Sequence, residues 1–139
     1  MIGEGSALEL QQQNAELQKE LARVKLAEAD AQRRLEEMQL IFDASPIMFW
    51  YKDRSNRTLR VNAAAAALEG LPVSAIEGRS CYEIYPQEQA EAFYKDDLEV
   101  INSGKPKLGI IEKHRAPKCE HDLWMQTCKV PLRDKKNMI

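Results

Sequence analysis

The sequence predicts an α+β fold in which one long helix precedes a small antiparallel sheet with short flanking helices. Over the first forty residues, apolar side chains recur every seven positions and leave no wide apolar face. The remaining residues follow the order strand, strand, several helices, strand, strand, which is typical of an antiparallel sheet with its helices on one side. We therefore divide the chain into a helix over residues 1–44 and a domain over residues 45–139.

The heptad repeat at the N-terminus predicts a parallel coiled-coil homodimer. Asn14 falls at an a position, where Asn fixes the register and favours two strands. Glu28 at a and Ala31 at d weaken the middle of the repeat. A single helix packed on its own domain is the alternative, but it would need a wider apolar face. The predicted dimer seam consists of Leu10, Asn14, Leu17, Leu21, Val24, Leu35, Met38 and Phe42.

Composition narrows the classes of function. The chain has 139 residues and a formal net charge of −2, with both signs mixed along it, so neither nucleic acid nor an anionic membrane is an expected partner. No apolar run approaches the ~20 residues that span a bilayer, and no signal peptide opens the chain, so we expect a cytoplasmic protein. The odd number of cysteines favours reduced thiols over a disulfide framework.

The first elements of the domain follow from turn residues and strand formers. The long helix is expected to end near Ala44, because Pro46 disfavours helical geometry in the residue before it. Residues 47–53 are rich in β-formers and predict a strand. Polar residues 54–57 predict a turn, and the alternation over 58–62 predicts the second strand of a hairpin.

Helix caps and apolar spacing place the later elements. Asn62 is a suitable N-cap for a helix over 63–69, and Gly70 stands at its expected end. The same reasoning predicts helical turns over 72–76 and 80–85, a helix over 87–102, and strands over 108–115 and 122–132. On the helix over 87–102, the predicted buried face contains Ala90, Phe93, Leu98 and Ile101. The turn over 133–137 implies a fifth strand, of which only Met138 and Ile139 could be present.

An ordered set of short motifs resembles a bacterial PAS sensor domain over residues 41–139. They are Ser45-Pro46 to Tyr51-Lys52-Asp53, Val61-Asn62-Ala63-Ala64, Gly70, Ile76-Glu77-Gly78-Arg79, Cys81-Tyr82-Glu83, Ser103-Gly104-Lys105-Pro106, and Trp124 to Asp134. The resemblance implies a five-stranded antiparallel sheet, here truncated at its last strand, that encloses a small-ligand pocket. It also implies that the N-terminal helix packs on the outer sheet face, where it contributes to the homodimer and leads to a downstream signalling domain.

Strand parity and the resemblance together suggest pocket residues. Met48 and Trp50 fall on one face of the first strand, with Phe49 and Tyr51 on the other, and similarity to the family suggests that the first pair points inward. The ligand is unknown, and no cofactor is predicted. The candidate pocket residues are Met48, Trp50, Val61, Leu68, Cys81, Tyr82, Phe93, Leu98, Ile110 and Met125.

Flavin, haem and metal sites find little support in the sequence. Cys81 lies in a segment similar to the one that holds the flavin-adduct cysteine of LOV domains, but the rest of that motif is missing. Residues 87–103 contain no His, which a haem-binding PAS domain would place there. The metal alternative would use His114, Cys119, His121 and Cys128, whose spacing is not a recognised ligand pattern.

Catalytic motifs are not found in the sequence, so we expect no enzyme. The acidic pairs Asp96-Asp97 and Glu88/Glu91 are expected to be solvated on a helix surface. Three hypotheses remain: a sensory and dimerisation module that binds a small ligand or partner and passes a signal through its helix, a ligand-free module for dimerisation or protein interaction, and a redox or metal sensor.

Overall fold

The computed structural model describes residues 4–136 and divides the chain into two units, one ending at Phe42 and one beginning at Asp43. The first unit is made by helix α1 (Glu4–Ala44), which extends two residues into the second. Its sequence is dominated by Ala, Leu, Glu, Gln, Lys and Arg, the strongest helix formers. The helix ends before Ser45-Pro46, as predicted, because the residue before a proline avoids the helical region.

The surface of α1 carries both ion pairs and unburied apolar side chains. Asp30 accepts from Arg33 at 2.6 Å and from Arg34 at 2.9 Å, which are pairs of the kind that modestly stabilise an isolated helix. The apolar positions of the predicted seam from Leu10 to Met38 are all exposed. Across residues 4–136, no helix combines the length and apolar character that a membrane crossing requires.

Strands β1 (Trp50–Lys52) and β2 (Thr58–Val61) form the predicted antiparallel hairpin, with Trp50 opposite Val61. The first strand is shorter than the predicted 47–53. The side chain of Asn62 explains the difference: its Nδ2 donates to the Ile47 carbonyl at 2.8 Å, and its Oδ1 accepts from the Phe49 amide at 3.0 Å. The segment before Trp50 therefore bonds mainly to the Asn62 side chain, and the backbone bond from the Asn62 amide to the Phe49 carbonyl at 3.3 Å does not extend the ladder.

Four helices follow the hairpin: α2 (Ala63–Glu69), α3 (Val73–Ile76), α4 (Cys81–Ile84) and α5 (Gln87–Ser103). As predicted, Asn62 caps α2 through a bond from the Ala65 amide at 3.1 Å, and Gly70 ends it in the left-handed region at φ 63°.

Strands β3 (Lys107–His114) and β4 (Leu123–Lys129) form the second antiparallel pair. Gly109 adopts φ 67° at the register irregularity between Lys107 and Ile110, a geometry that suits glycine. Within residues 4–136 the strands number four, in two separate two-stranded sheets. The antiparallel arrangement with short helices is thus as predicted, including the truncated sheet. Met138 and Ile139 lie outside the described residues.

The core of the domain consists of two small groups of buried side chains that share Ile84 as a neighbour. One contains Val61, Ala65, Ala66 and Ile76, against which Met48, Trp50 and Leu71 pack, and the other contains Cys81, Tyr85, Ala90 and Phe93.

The predicted apolar face of α5 is wrong at Leu98, while Ile101 is half-buried. Ala90, Phe93 and Val100 are buried, whereas Leu98 is 36% exposed. The buried stripe continues from Phe93 to position 97 and then to position 100, so it includes the carboxyl side chain of Asp97. Because the prediction admitted only apolar residues, it chose Leu98 and Ile101 in place of Asp97 and Val100, one position further along the helix.

Candidate functional site

Largely buried polar and thiol side chains from six helices and strands meet in the interior of the domain and form two clusters around Phe93. Trp50 and Lys52 lie on β1. Glu69 is the last residue of α2, and His114 is the last residue of β3. Tyr85 directly follows α4. Asp97 lies on α5, Lys129 on β4 and Cys81 on α4, and Asn56 lies in the turn between β1 and β2.

The first group, named here the Glu69 cluster, comprises Trp50, Glu69, Tyr85 and His114. The Glu69 side chain is fully buried, and its Oε1 accepts a hydrogen bond of 2.6 Å from the Tyr85 hydroxyl. His114 Nε2 lies 3.1 Å from Glu69 Oε1 and 3.3 Å from Oε2. A carboxyl group withdrawn from water is costly unless such partners satisfy it, so these contacts account for its burial.

Aromatic contacts fix the rings around this carboxyl group. The His114 ring stacks on Phe93, with centroids 5.9 Å apart and planes 20° apart. Tyr85 meets both rings edge to face, at 5.4 Å from Phe93 and 5.5 Å from His114. Trp50 is tilted against His114 at 6.4 Å. These are the separations and geometries that aromatic pairs favour.

The indole nitrogen of Trp50 is a buried donor without an acceptor. Its Nε1 atom has no hydrogen-bond partner, although almost every buried polar atom in a folded protein has one. The indole N–H is near enough to Tyr85 to lower the pKa of that hydroxyl slightly, but the two groups do not meet at hydrogen-bonding geometry. Stronger influences prevail at Tyr85: burial first, and then the charge and hydrogen bond of Glu69, raise its pKa far above the ordinary value.

The second group, named here the Asp97 cluster, comprises Lys52, Asn56, Cys81, Asp97 and Lys129. Asp97 Oδ1 accepts from Lys129 at 2.5 Å, and Oδ2 accepts from Lys52 at 3.2 Å and from Asn56 Nδ2 at 3.0 Å. The side chains of Lys52, Asp97 and Lys129 are all less than one fifth exposed. Two ammonium groups therefore share one carboxylate in a region largely removed from water.

Lys52 also contacts the thiol of Cys81, at 3.2 Å from Nζ to Sγ. Burial opposes the charge on Lys52, but Cys81 and Asp97 together outweigh it and raise the pKa of the lysine. Lys52 and Lys129 lie 5.8 Å and 5.6 Å from the centroid of the Phe93 ring. Phe93 thus contacts both clusters, since it also stacks on His114.

The backbone near Asn56 explains how a loop residue becomes part of this group. Asn56 is 1% exposed and adopts φ 65°, which Asn tolerates better than most residues. Its Oδ1 accepts from the Cys81 amide at 2.8 Å, at the start of α4. The turn before it is closed by Asp53, which accepts from the amides of Ser55 and Arg57.

The structure brings only some of the predicted pocket residues together. Met48 and Trp50 pack on the core, while Phe49 and Tyr51 are each 44% exposed, as strand parity predicts. Val61, Cys81 and Phe93 are buried, and Leu68, Ile110 and Met125 are half-buried. Tyr82, at 47% exposed, contacts Tyr94 instead, and Leu98 is exposed as well.

The metal alternative does not correspond to the arrangement of its residues. His114 is buried beside Glu69, whereas Cys119 is half-buried and His121 and Cys128 are exposed. In the part of the chain that the structure describes, no three or more His, Cys, Asp or Glu side chains are placed to hold a metal ion. His114 belongs to the aromatic core because its ring stacks there.

Sequence reasoning missed two members of the Glu69 cluster, Glu69 and Tyr85, and every member of the Asp97 cluster except Cys81. The expectation that Asp96-Asp97 would be solvated is wrong for Asp97, which the two lysines hold inside, and Asp96 binds Lys107 at 2.8 Å. The signal was periodicity: Glu69 follows buried Ala65 and Ala66 at helical spacing, and Asp97 lies between Phe93 and Val100. Counting polar residues at these spacings would have found both.

The family described as the PAS fold matches this chain over residues 42–138. Among curated proteins, none matches the chain significantly. The solved structure "VqmA bound to DPO" is 27% identical with a TM-score of 0.64, and the match covers 76% of this chain and 52% of VqmA. This chain therefore spans about half the length of that protein.

Two further structures share the fold at lower identity. The PAS domain of Bordetella pertussis BvgS is 18% identical with a TM-score of 0.58, over 76% of this chain and 79% of that one. The PAS domain of an HTR-like protein from Haloarcula marismortui is 18% identical with a TM-score of 0.50, over 81% and 91%. The family match covers more than half of the present chain.

Proposed function

Because this chain belongs to the PAS family, we propose that it is a sensory module that binds a small organic ligand at the Glu69 cluster. The observation that carries the proposal is the convergence of aromatic rings and polar groups in the core, with the Trp50 donor left unsatisfied. Small-ligand sites combine apolar and aromatic lining with a few placed polar groups. VqmA, 27% identical to this chain, is described as bound to DPO, which supports a ligand in the same fold.

Native mass spectrometry of the purified protein tests ligand binding. The expected result is an additional small mass that disappears on denaturation, and the recovered compound should raise the thermal midpoint in proportion to the logarithm of its concentration. Phe93→Leu should reduce this response, because it removes the ring that stacks on His114. The matched control is Phe49→Leu, since Phe49 is exposed. A protein without bound mass, stabilised by no compound in a small-molecule library, would contradict the proposal.

We also propose that the module is a cytoplasmic homodimer whose α1 helix carries the signal to a downstream domain. The exposed seam supports this, because Leu17 is 69% exposed and Leu35 is 63% exposed in the single chain. Apolar side chains repeated at heptad spacing would be covered by a second copy of the helix.

Deletion of residues 1–34 tests the dimer. The truncated protein should dissociate at low micromolar concentration in light scattering, while Asn14→Leu in the full chain should raise the thermal midpoint and loosen the oligomeric state. A truncated protein that remains fully dimeric would contradict the proposal.

For signal transfer, spin labels at Leu35 and Leu10 should respond unequally to the recovered compound, with the larger distance change at Leu35. Equal or absent changes would make α1 a passive tether.

A ligand-free module for dimerisation or protein interaction is the second candidate. The exposed seam of α1 favours it as strongly as it favours the sensory module, because that seam needs a second helix whether or not the domain binds a ligand. The two candidates differ only in the result of the ligand measurement, and the deletion experiment applies to both.

A further inference from the structure

We propose that Trp50 Nε1 determines ligand specificity by donating a hydrogen bond to a neutral acceptor, a carbonyl oxygen or a heteroaromatic nitrogen, on a small planar ligand. This rests on the proposed function, because it assumes that the ligand occupies the Glu69 cluster. It adds which atom of this chain reads the ligand and which ligand chemistry that atom selects.

The first step concerns the unsatisfied donor. Trp50 lies on β1 opposite Val61 and packs against the buried cluster around Val61 and Ile76. A buried indole N–H without a partner has lost its hydrogen bonds to water and gained none in return. Replacing Trp by Phe would avoid that loss while keeping an aromatic ring. Packing requires only the ring, so the N–H is satisfied only if a ligand supplies the acceptor.

The second step concerns the charge of the acceptor. Glu69 is fully buried, and its contacts come from the Tyr85 hydroxyl and the His114 ring. A second anion placed in this cluster would meet the Glu69 carboxylate in a medium that screens it poorly. Burial and the Glu69 charge likewise disfavour a negative charge on the Tyr85 hydroxyl, whose pKa they raise. A neutral acceptor avoids this repulsion, whereas a carboxylate does not.

The third step concerns the shape of the ligand. The rings of Trp50, Tyr85, Phe93 and His114 pack against one another, with neighbouring centroids 5.4 to 6.4 Å apart, so a ligand at this cluster would lie against the rings and not between them. Flat faces and ring edges favour a planar, aromatic partner over a branched aliphatic one. An anionic ligand would be expected at the other cluster, where Lys52 and Lys129 share a single carboxylate.

Three probes separate these features: benzamide has a ring and a neutral carbonyl, benzoate has a ring and a charged group, and toluene has the ring alone. Binding is followed by the indole N–H resonances of the ¹⁵N-labelled full chain and, in the Trp50→Phe variant, which lacks the Trp50 resonance, by the saturation-transfer signals of the probe itself. The chain has two tryptophans, and Trp124, at 68% exposed, serves as an internal reference. Trp50→Phe assigns the resonances and removes the donor while keeping a ring, and Trp124→Phe is the matched control.

We expect benzamide to move the Trp50 resonance downfield and leave Trp124 in place. Trp50→Phe should weaken benzamide binding by about tenfold, the effect of one net hydrogen bond, and leave toluene binding unchanged. Titrations followed at the Trp50 resonance should show weaker binding of benzoate than of benzamide. If Trp50→Phe weakens the binding of benzamide and toluene equally, the inference is overturned, although the domain still binds ligands. The same conclusion follows if benzoate binds more tightly than benzamide. If no probe moves the Trp50 resonance, the inference also fails, and native mass spectrometry then decides separately whether the domain binds any ligand.

Discussion

The Glu69 cluster and the Asp97 cluster bury carboxyl groups in two different ways. Glu69 is fully buried, and its partners are a hydroxyl and an imidazole. Asp97 is 15% exposed and lies between two ammonium groups. The first arrangement relies on hydrogen bonds that water cannot replace, and the second on charge neutralisation at the edge of the core. Stability should therefore depend more on Glu69, although Asp97 makes more ionic contacts.

The largest expected effect is that of Glu69→Ala. It removes the partner of the Tyr85 hydroxyl and of His114 Nε2 inside the core, so we expect the free energy of unfolding to fall by about 3 kcal/mol. Urea unfolding followed by circular dichroism measures it. Glu69→Gln should lose less, because its amide oxygen can still accept from Tyr85. Equal losses in the two variants would show that the carboxyl group fills space and that its hydrogen bonds contribute nothing.

Asp97→Asn should cost about 2 kcal/mol, because Lys52 and Lys129 lose the charge that they share. The Glu88→Gln variant is the control, since Glu88 is exposed on the same helix, and it should change stability by less than about 0.5 kcal/mol. The measurement is the same urea unfolding series at neutral pH. If Asp97→Asn proves more damaging than Glu69→Ala, the ranking of the two clusters is wrong.

Alkaline pH should weaken the Glu69 cluster through Tyr85. Because the folded pKa of Tyr85 is raised above its unfolded value, its contribution is complete below about pH 10 and is lost progressively above it, by up to about 1.4 kcal/mol per pH unit. Lys52, with its raised pKa in the other cluster, adds a loss that begins above its ordinary value of 10.5. Unfolding at pH 9 and pH 11 should show a smaller decrease for Tyr85→Phe than for the unchanged protein. Identical decreases would contradict the role assigned to Tyr85.

The smallest effect is expected for Cys81→Ala, on the order of 1 kcal/mol, because it removes a small buried group and its contact with Lys52. Cys128→Ala is the control, since Cys128 is exposed and should be neutral. Thermal unfolding of both variants provides the measurement. A loss at Cys81 as large as that for Asp97→Asn would mean that the thiol, and not the carboxylate, organises the second cluster.

Local patterns predicted the frame of the domain well. Asn62 and Gly70 define α2 as expected, and strand parity places Met48 and Trp50 on the core. The order of the elements predicted the antiparallel arrangement, and the resemblance predicted the PAS fold, which the family match over residues 42–138 confirms. The prediction of the candidate site missed its carboxyl groups, because only apolar, aromatic and thiol side chains were considered for its lining. Trp50 and Phe93 were among the predicted residues, whereas Glu69, Tyr85 and Asp97 were not.

By itself, the sequence determined what depends on neighbours along the chain: the continuous α1 helix, the caps of α2, the hairpin and the spacing of buried faces. Tertiary structure alone decided which polar residues enter the core. Glu69 is buried because Tyr85 and His114, 16 and 45 residues away, reach its oxygens, and Asp97 because lysines from two strands meet it. Burial of a charge depends on partners that only the folded chain brings within hydrogen-bonding distance.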